Sequence, residues 1–197
     1  MNKGKIVIIS ILVIAFSVTV AAQNIQPIIK GGANIANVSG DEVEDTDSKI
    51  GIVVGGLINF DINEQLAFQT GPFYSQKGYK IDEGGSEMTG SLDYLEMPFL
   101  GRYSIPMGSN IEPNIFAGPS IAYNINAEVE MDDETQDISD NVKSMDFGII
   151  LGAGVKFNQF IIDAEYNMGL SSIDDSDSDS DIKNSVITIT AGYCLSL

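Results

Sequence analysis

The chain has 197 residues, with 28 Asp or Glu against ten Lys or Arg and no His, for a formal net charge of −18. That balance excludes a nucleic-acid binder, because a phosphate backbone would be repelled. The missing His removes the usual general base and the commonest metal ligand together, and the single Cys194 excludes a disulfide framework.

Residues 1–22 read as a secretory signal peptide. Lys3 and Lys5 precede an apolar run from Ile6 to Val20, and Val20-Ala21-Ala22 supplies small residues for cleavage before Gln23. The apolar run is shorter than the ~20 residues a spanning helix needs. The mature portion, residues 23–197, is long enough for one domain and carries 28 acids against eight basic residues.

Beyond the signal, β-branched and aromatic residues alternate with Gly, Ser, Thr and Asn, and no window shows a helical stripe. The pattern predicts eight strands, at 25–38, 49–60, 66–81, 92–105, 111–129, 143–157, 159–172 and 184–197. The connections alternate in length. Asp61 to Gln65, Pro106 to Asn110 and Asn158 are short. Ser39 to Ser48, Asp82 to Ser91, Glu130 to Val142 and Ile173 to Lys183 are longer, and hold 19 of the 28 acids. In an up-and-down meander the long connections share one rim and the short ones the other. This is the pattern of outer-membrane barrels, with both termini on the short-turn, periplasmic side.

The faces of the strands agree. In 143–157, Met145, Phe147, Ile149, Leu151, Ala153, Val155 and Phe157 oppose a parity holding Asp146, three Gly and Lys156. In 159–172, Phe160, Ile162, Ala164, Tyr166 and Met168 oppose Ile161, Asp163, Glu165, Asn167 and Gly169. The closing stretch alternates Ile187, Ile189, Ala191, Tyr193 and Leu195 with Val186, Thr188, Thr190, Gly192 and Cys194. If the apolar parity pointed inward, the protein would be a soluble barrel binding a small apolar ligand. An outward apolar parity is favoured because the other side is rich in Gly and small polar residues, which suit a narrow lumen. Lys30, Lys77, Arg102 and Lys156 can there pair with Glu96, Glu112, Asp146, Asp163 and Glu165. Phe60, Phe68, Tyr103, Phe157 and Phe160 fall on the apolar parity beside the short turns, as an interfacial girdle requires. Pro72, Pro98, Pro113 and Pro119 each remove a ladder donor, so bulges or strand ends are expected near Gly71-Pro72 and Gly118-Pro119.

Lys30-Gly31-Gly32-Ala33-Asn34, Tyr74-Ser75-Gln76-Lys77-Gly78 and Tyr94-Leu95-Glu96-Met97-Pro98 resemble the PorT-like outer-membrane β-barrel family of Bacteroidota, often labelled "porin family". The resemblance implies an eight-stranded barrel of the OmpA/OmpX kind. The ending from Thr190 to Leu197 is similar to the signal read by the outer-membrane assembly machinery, closing on Leu197 where an aromatic is usual. Eight strands leave a lumen filled by side chains, so a general diffusion pore is not expected.

No catalytic residue, cofactor or metal site is expected. Asp163 and Glu165 share the lumen parity, but an interior ion-pair network is the simpler account of them. The run Asp174 to Asp181 has carboxylates that suit Ca²⁺ without the Gly and distal Glu of a calcium loop; a solvated acidic loop is the simpler account, with divalent bridges to lipopolysaccharide as the alternative. Cys194 reads as a small packing residue. The expectation is a monomeric, non-enzymatic, integral outer-membrane barrel with a structural or interaction role, contacting lipid, lipopolysaccharide and the assembly machinery. The alternatives are a narrow channel or transport accessory, and a secretion-system component.

Overall fold

The computed structural model describes residues 24–40, 46–83, 86–107, 110–131, 134–175 and 181–196. Residues 1–22, expected as a signal peptide, and residues 176–180 of the acidic run lie outside them. Ten strands form: β1 (Asn24–Ser39), β2 (Thr46–Asp61), β3 (Leu66–Thr70), β4 (Phe73–Glu83), β5 (Ser86–Ser104), β6 (Ile111–Met131), β7 (Glu134–Asp137), β8 (Met145–Phe157), β9 (Phe160–Gly169) and β10 (Lys183–Cys194). A closed ring runs through eight of them, in the order β1-β2-β4-β5-β6-β8-β9-β10. It closes where β1 pairs antiparallel with β10, from Ile28↔Cys194 to Ser39↔Lys183. Closure removes the free edges that an open sheet would expose to lipid.

The expected eight strands become ten for two local reasons. The run 66–81 breaks at Gly71-Pro72 into β3 and β4, which lie in sequence between β2 and β5 and fill one position of the ring. Pro72 cannot donate to the ladder. Gly71 sits at φ +156°, where a Cβ would run into the Gly56 carbonyl. The second addition is β7, which folds back on the end of β6, pairing Glu128↔Asp137 to Met131↔Glu134. Beside it, β4 and β5 stay paired as far as Glu83↔Ser86, so the expected long connection Asp82 to Ser91 is a tight hairpin. At Gly118-Pro119, β6 continues without a break; its pairing with β5 skips Phe99 and Leu100, while the β8 side pairs Gly118↔Ile150 and Pro119↔Ile149.

The outward parity is apolar. On β8 and β9, Phe147, Ile149, Leu151, Phe160, Ile162 and Met168 are all exposed, whereas Asp146 and Asp163 are 3% and 1% exposed. The exposed apolar parity that starts at Phe160 of β9 runs to Leu170, one residue past the strand's end. At about 3.3 Å per residue and a tilt of about 40°, that run gives a belt of about 25 Å, the height of an outer-membrane hydrocarbon band. Tyr103, Phe157 and Phe160 are exposed at the short-turn rim as expected, and Phe160 meets Tyr193 edge-on at 5.3 Å. Phe60 departs from expectation. It keeps the outward parity but is only 9% exposed, stacked on Phe68 at a centroid distance of 6.2 Å.

Candidate functional site

The inward parity fills the barrel with alternating polar and apolar layers. At the short-turn end an open vestibule of about 220 Å³ is lined by Asn59, Asp61, Glu64, Arg102, Glu112 and Lys156, among others. Glu112 and Lys156 are register partners on β6 and β8, yet they form no ion pair with each other. Cys194 is buried with Ile28, Val53, Leu57, Phe73 and Ile161, in a packing role as expected.

Above the vestibule lies the first ionic layer. Asp163 on β9 takes Arg102 through two bonds, Nη2 to Oδ2 at 2.7 Å and Nη1 to Oδ1 at 3.1 Å, and also takes the Lys30 ammonium. Arg102 Nε donates to Gln69 Oε1 at 2.9 Å, Gln69 donates to Asn59 at 2.7 Å, and Arg102 Nη1 also reaches Asn114. The guanidinium lies 4.3 Å over the ring of Phe116. Gly154 makes this layer possible, because a Cβ there would overlap Asp163 Oδ1.

The second ionic layer lies on the far side of a small internal cavity. Lys77 stands 3.3 Å from Glu96 and 3.7 Å from Asp146, with its ammonium 4.9 Å from the Tyr94 ring. Asn167 donates to Glu96 at 2.5 Å, Ser171 to Asp146 at 3.1 Å, and Asn184 to Asp146 at 2.9 Å. Each of these buried charges thus meets an opposite charge and further hydrogen bonds, the condition under which buried ions are tolerated.

At the long-loop end the lumen is closed by an apolar cap. Val38, Leu92, Tyr94, Ala122, Ala127 and Ile173 cluster there, with Tyr79, Ile138, Val142 and Ile182 packed against them. Backbone bonds hold two connections together over this cap: Lys143 N–H donates to Ile173 O at 2.8 Å and Asp175 N–H to Asn141 O at 3.0 Å. At its edge the exposed Asp137 accepts the Ser139 N–H at 2.8 Å, and this bond holds its carboxyl below the usual range.

Of the lumen charges expected to pair, Lys30, Lys77, Arg102, Glu96, Asp146 and Asp163 do so. Glu112, Lys156 and Glu165 make no ion pair among the described residues. Asp163 and Glu165 therefore differ: the first is saturated by two cations, and the second faces a cavity. Among the described residues no three His, Cys, Asp or Glu side chains gather as a metal site. The layers contributed by Gln69, Asn114, Asn167 and Asn184 were not anticipated, although each sits on the inward parity of its strand.

An apolar exterior of membrane height, a closed antiparallel ring and a lumen of paired charges define an integral β-barrel of the outer-membrane type. The chain belongs to the family described as "Outer membrane protein beta-barrel domain", whose profile matches residues 21–175. The fold is similar to Neisserial surface protein A, at 14% identity and TM-score 0.53, covering 87% of this chain and 99% of that one. It is also similar to Ail, the attachment invasion locus protein of Yersinia pestis, at 17% identity and TM-score 0.49, covering 86% and 98%. A third likeness is to OprG from Pseudomonas aeruginosa, at 13% identity and TM-score 0.49, covering 87% and 96%. No curated protein matches the sequence.

Proposed function

We propose that this barrel is a non-conducting, non-enzymatic platform that presents an acidic long-loop rim to cationic partners outside the cell. The observation that carries the reading is the filled lumen. Among the described residues, two ionic layers and an apolar cap lie across the lumen between the rims. The disposition of charge supports the second half. Lys30, Lys49, Lys77 and Arg102 are buried and Lys156 lines the vestibule, which leaves only Lys80, Lys143 and Lys183 of the eight basic residues in 23–197 near the long connections. The four segments from Ser39 to Ser48, Asp82 to Ser91, Glu130 to Val142 and Ile173 to Lys183, at that end of the barrel, hold 19 acids.

In this reading residues 1–22 are removed on export, the assembly machinery inserts the chain, and the long-loop rim faces outward. The motifs around Lys30, Tyr74 and Tyr94 support a PorT-like place within the family. The partners are set by charge: divalent ions bridging loop carboxylates to lipopolysaccharide phosphates, or basic surfaces.

Planar-bilayer recording of the refolded protein is the test. The expected result is no steady conductance above the bare bilayer, with vesicles carrying the protein binding a basic probe such as polylysine in a salt-sensitive way. A reproducible open channel would overturn the platform reading, and salt-insensitive or absent polylysine binding would overturn the acidic-rim reading.

A further inference from the structure

The vestibule at the short-turn end holds about 220 Å³, below the ~300–1,000 Å³ of pockets that take drug-sized molecules, so it suits a small ligand. One stretch of its wall carries both signs of charge side by side. Ser104 of β5 is the register partner of Asn114 on β6, and Glu112, two residues along on the same face of β6, is the partner of Lys156 on β8. Paired residues stand ~4.5–5.5 Å apart and same-face neighbours along a strand about 7 Å, so these four side chains share one small area. Among the described residues Glu112 and Lys156 make no ion pair, and the Ser104 hydroxyl makes no hydrogen bond.

Asn114 gives this area a direction. It is 3% exposed, and its Oδ1 accepts from Arg102 Nη1, which turns its amide nitrogen away from the guanidinium. There the nitrogen meets only the Glu112 carbonyl, at 3.5 Å. An amide NH₂ has two protons to place, so at least one is left for a guest. With the Ser104 hydroxyl and the Lys156 ammonium it makes three donors beside one carboxylate, that of Glu112. Asp61 and Glu64 also line the vestibule and would repel a bare anion, whereas Ile28, Ile161 and Cys194 add an apolar side.

We propose that the vestibule is a binding site for a free α-amino acid with a small apolar side chain, taken as the zwitterion. The ligand carboxylate accepts from Lys156, Asn114 Nδ2 and the Ser104 hydroxyl, its ammonium donates to Glu112, and its side chain lies toward Ile28 and Ile161. The two poles of such a molecule sit on one carbon, as the opposite charges of Glu112 and Lys156 sit on one register pair. An amine alone leaves Lys156 unanswered, and a carboxylate alone leaves Glu112 so. The site lies at the opposite end of the barrel from the acidic rim, so polylysine binding and conductance neither support nor remove it.

The test is titration of the nitrogen-15-labelled, refolded full barrel in detergent micelles near neutral pH with L-alanine, and separately with ethylamine and propionate, its two halves. The expected result is a saturable shift of the Ser104, Asn114 and Lys156 amides with alanine and none at Lys143 beneath the long connections. Ethylamine and propionate should each need at least tenfold more ligand for the same shift. Glu112→Gln and Lys156→Gln should each weaken alanine binding at least tenfold, whereas Lys183→Gln, at the other end of the barrel, should leave it unchanged. Should either vestibule variant fail to fold, Ser104→Ala, which removes a single donor, should weaken binding several-fold. Absence of a saturable shift with alanine would overturn the proposal. So would equal binding of either half-molecule, or alanine binding that persists undiminished in the vestibule variants.

Discussion

Arg102 of β5 reaches across the lumen to Asp163 of β9, Nη2 to Oδ2 at 2.7 Å, although 61 residues separate them in the chain. Neither strand touches the other in the ring. The pair therefore ties opposite walls, and with Lys30 it forms a triad in which one carboxylate is shared by two cations.

Removing that carboxylate strands both cations. Asp163→Asn should destabilise the barrel by about 3–5 kcal/mol, read as the shift in equilibrium urea unfolding in lipid vesicles. Replacing the whole triad, with Lys30→Met, Arg102→Met and Asp163→Leu together, should cost less than the single change, because neither cation is left stranded without its carboxylate.

Gly154 offers a second view of the same layer. Gly154→Ala should push the Asp163 carboxylate from its place, since the new Cβ would overlap Oδ1. The loss of stability should approach that of Asp163→Asn, and combining the two changes should add little beyond either alone, which a double-mutant cycle measures.

The faces of the strands were legible because lipid imposes one condition on every outward position of a closed barrel. Met145 to Phe157 and Ile187 to Leu195 keep strict alternation for that reason. The break at Gly71-Pro72 was legible too, since a Pro without a donor beside a Gly marks a fault in any ladder. Partners across the lumen were not legible. Alternation tells which way Arg102 and Asp163 point, but neither their height nor their position around the ring. Strand β7 was hidden because Glu134–Asp137 has no apolar alternation and is held only by backbone pairing to β6. The cap left a fainter trace: Ile138, Val142, Ile173 and Ile182 are isolated apolar residues in otherwise polar connections.

That cap should be the lumen's seal on the long-loop side. Ile173→Asp places a charge among Val38, Leu92 and Ala127 and should free the connections it anchors. Amide exchange at Lys143, whose N–H donates to Ile173 O at 2.8 Å, should accelerate at least tenfold while amides of β9 and β10 keep their protection.

The lipid face should respond to charge according to depth. Ile189→Arg, in the middle of the β10 apolar run, should cost about 2–4 kcal/mol in vesicle refolding, whereas Ser185→Arg near its rim should cost about 0–1 kcal/mol.

The most direct measurement is a nitroxide scan of β10 in lipid bilayers, on a Cys194→Ser background, with single cysteines placed from 186 to 191. Collision with dissolved oxygen, which concentrates in the hydrocarbon, should be high at 187, 189 and 191 and low at 186, 188 and 190. The inverse alternation, or high collision with a water-soluble nickel chelate at 187 and 189, would contradict an apolar exterior around a charged and filled lumen.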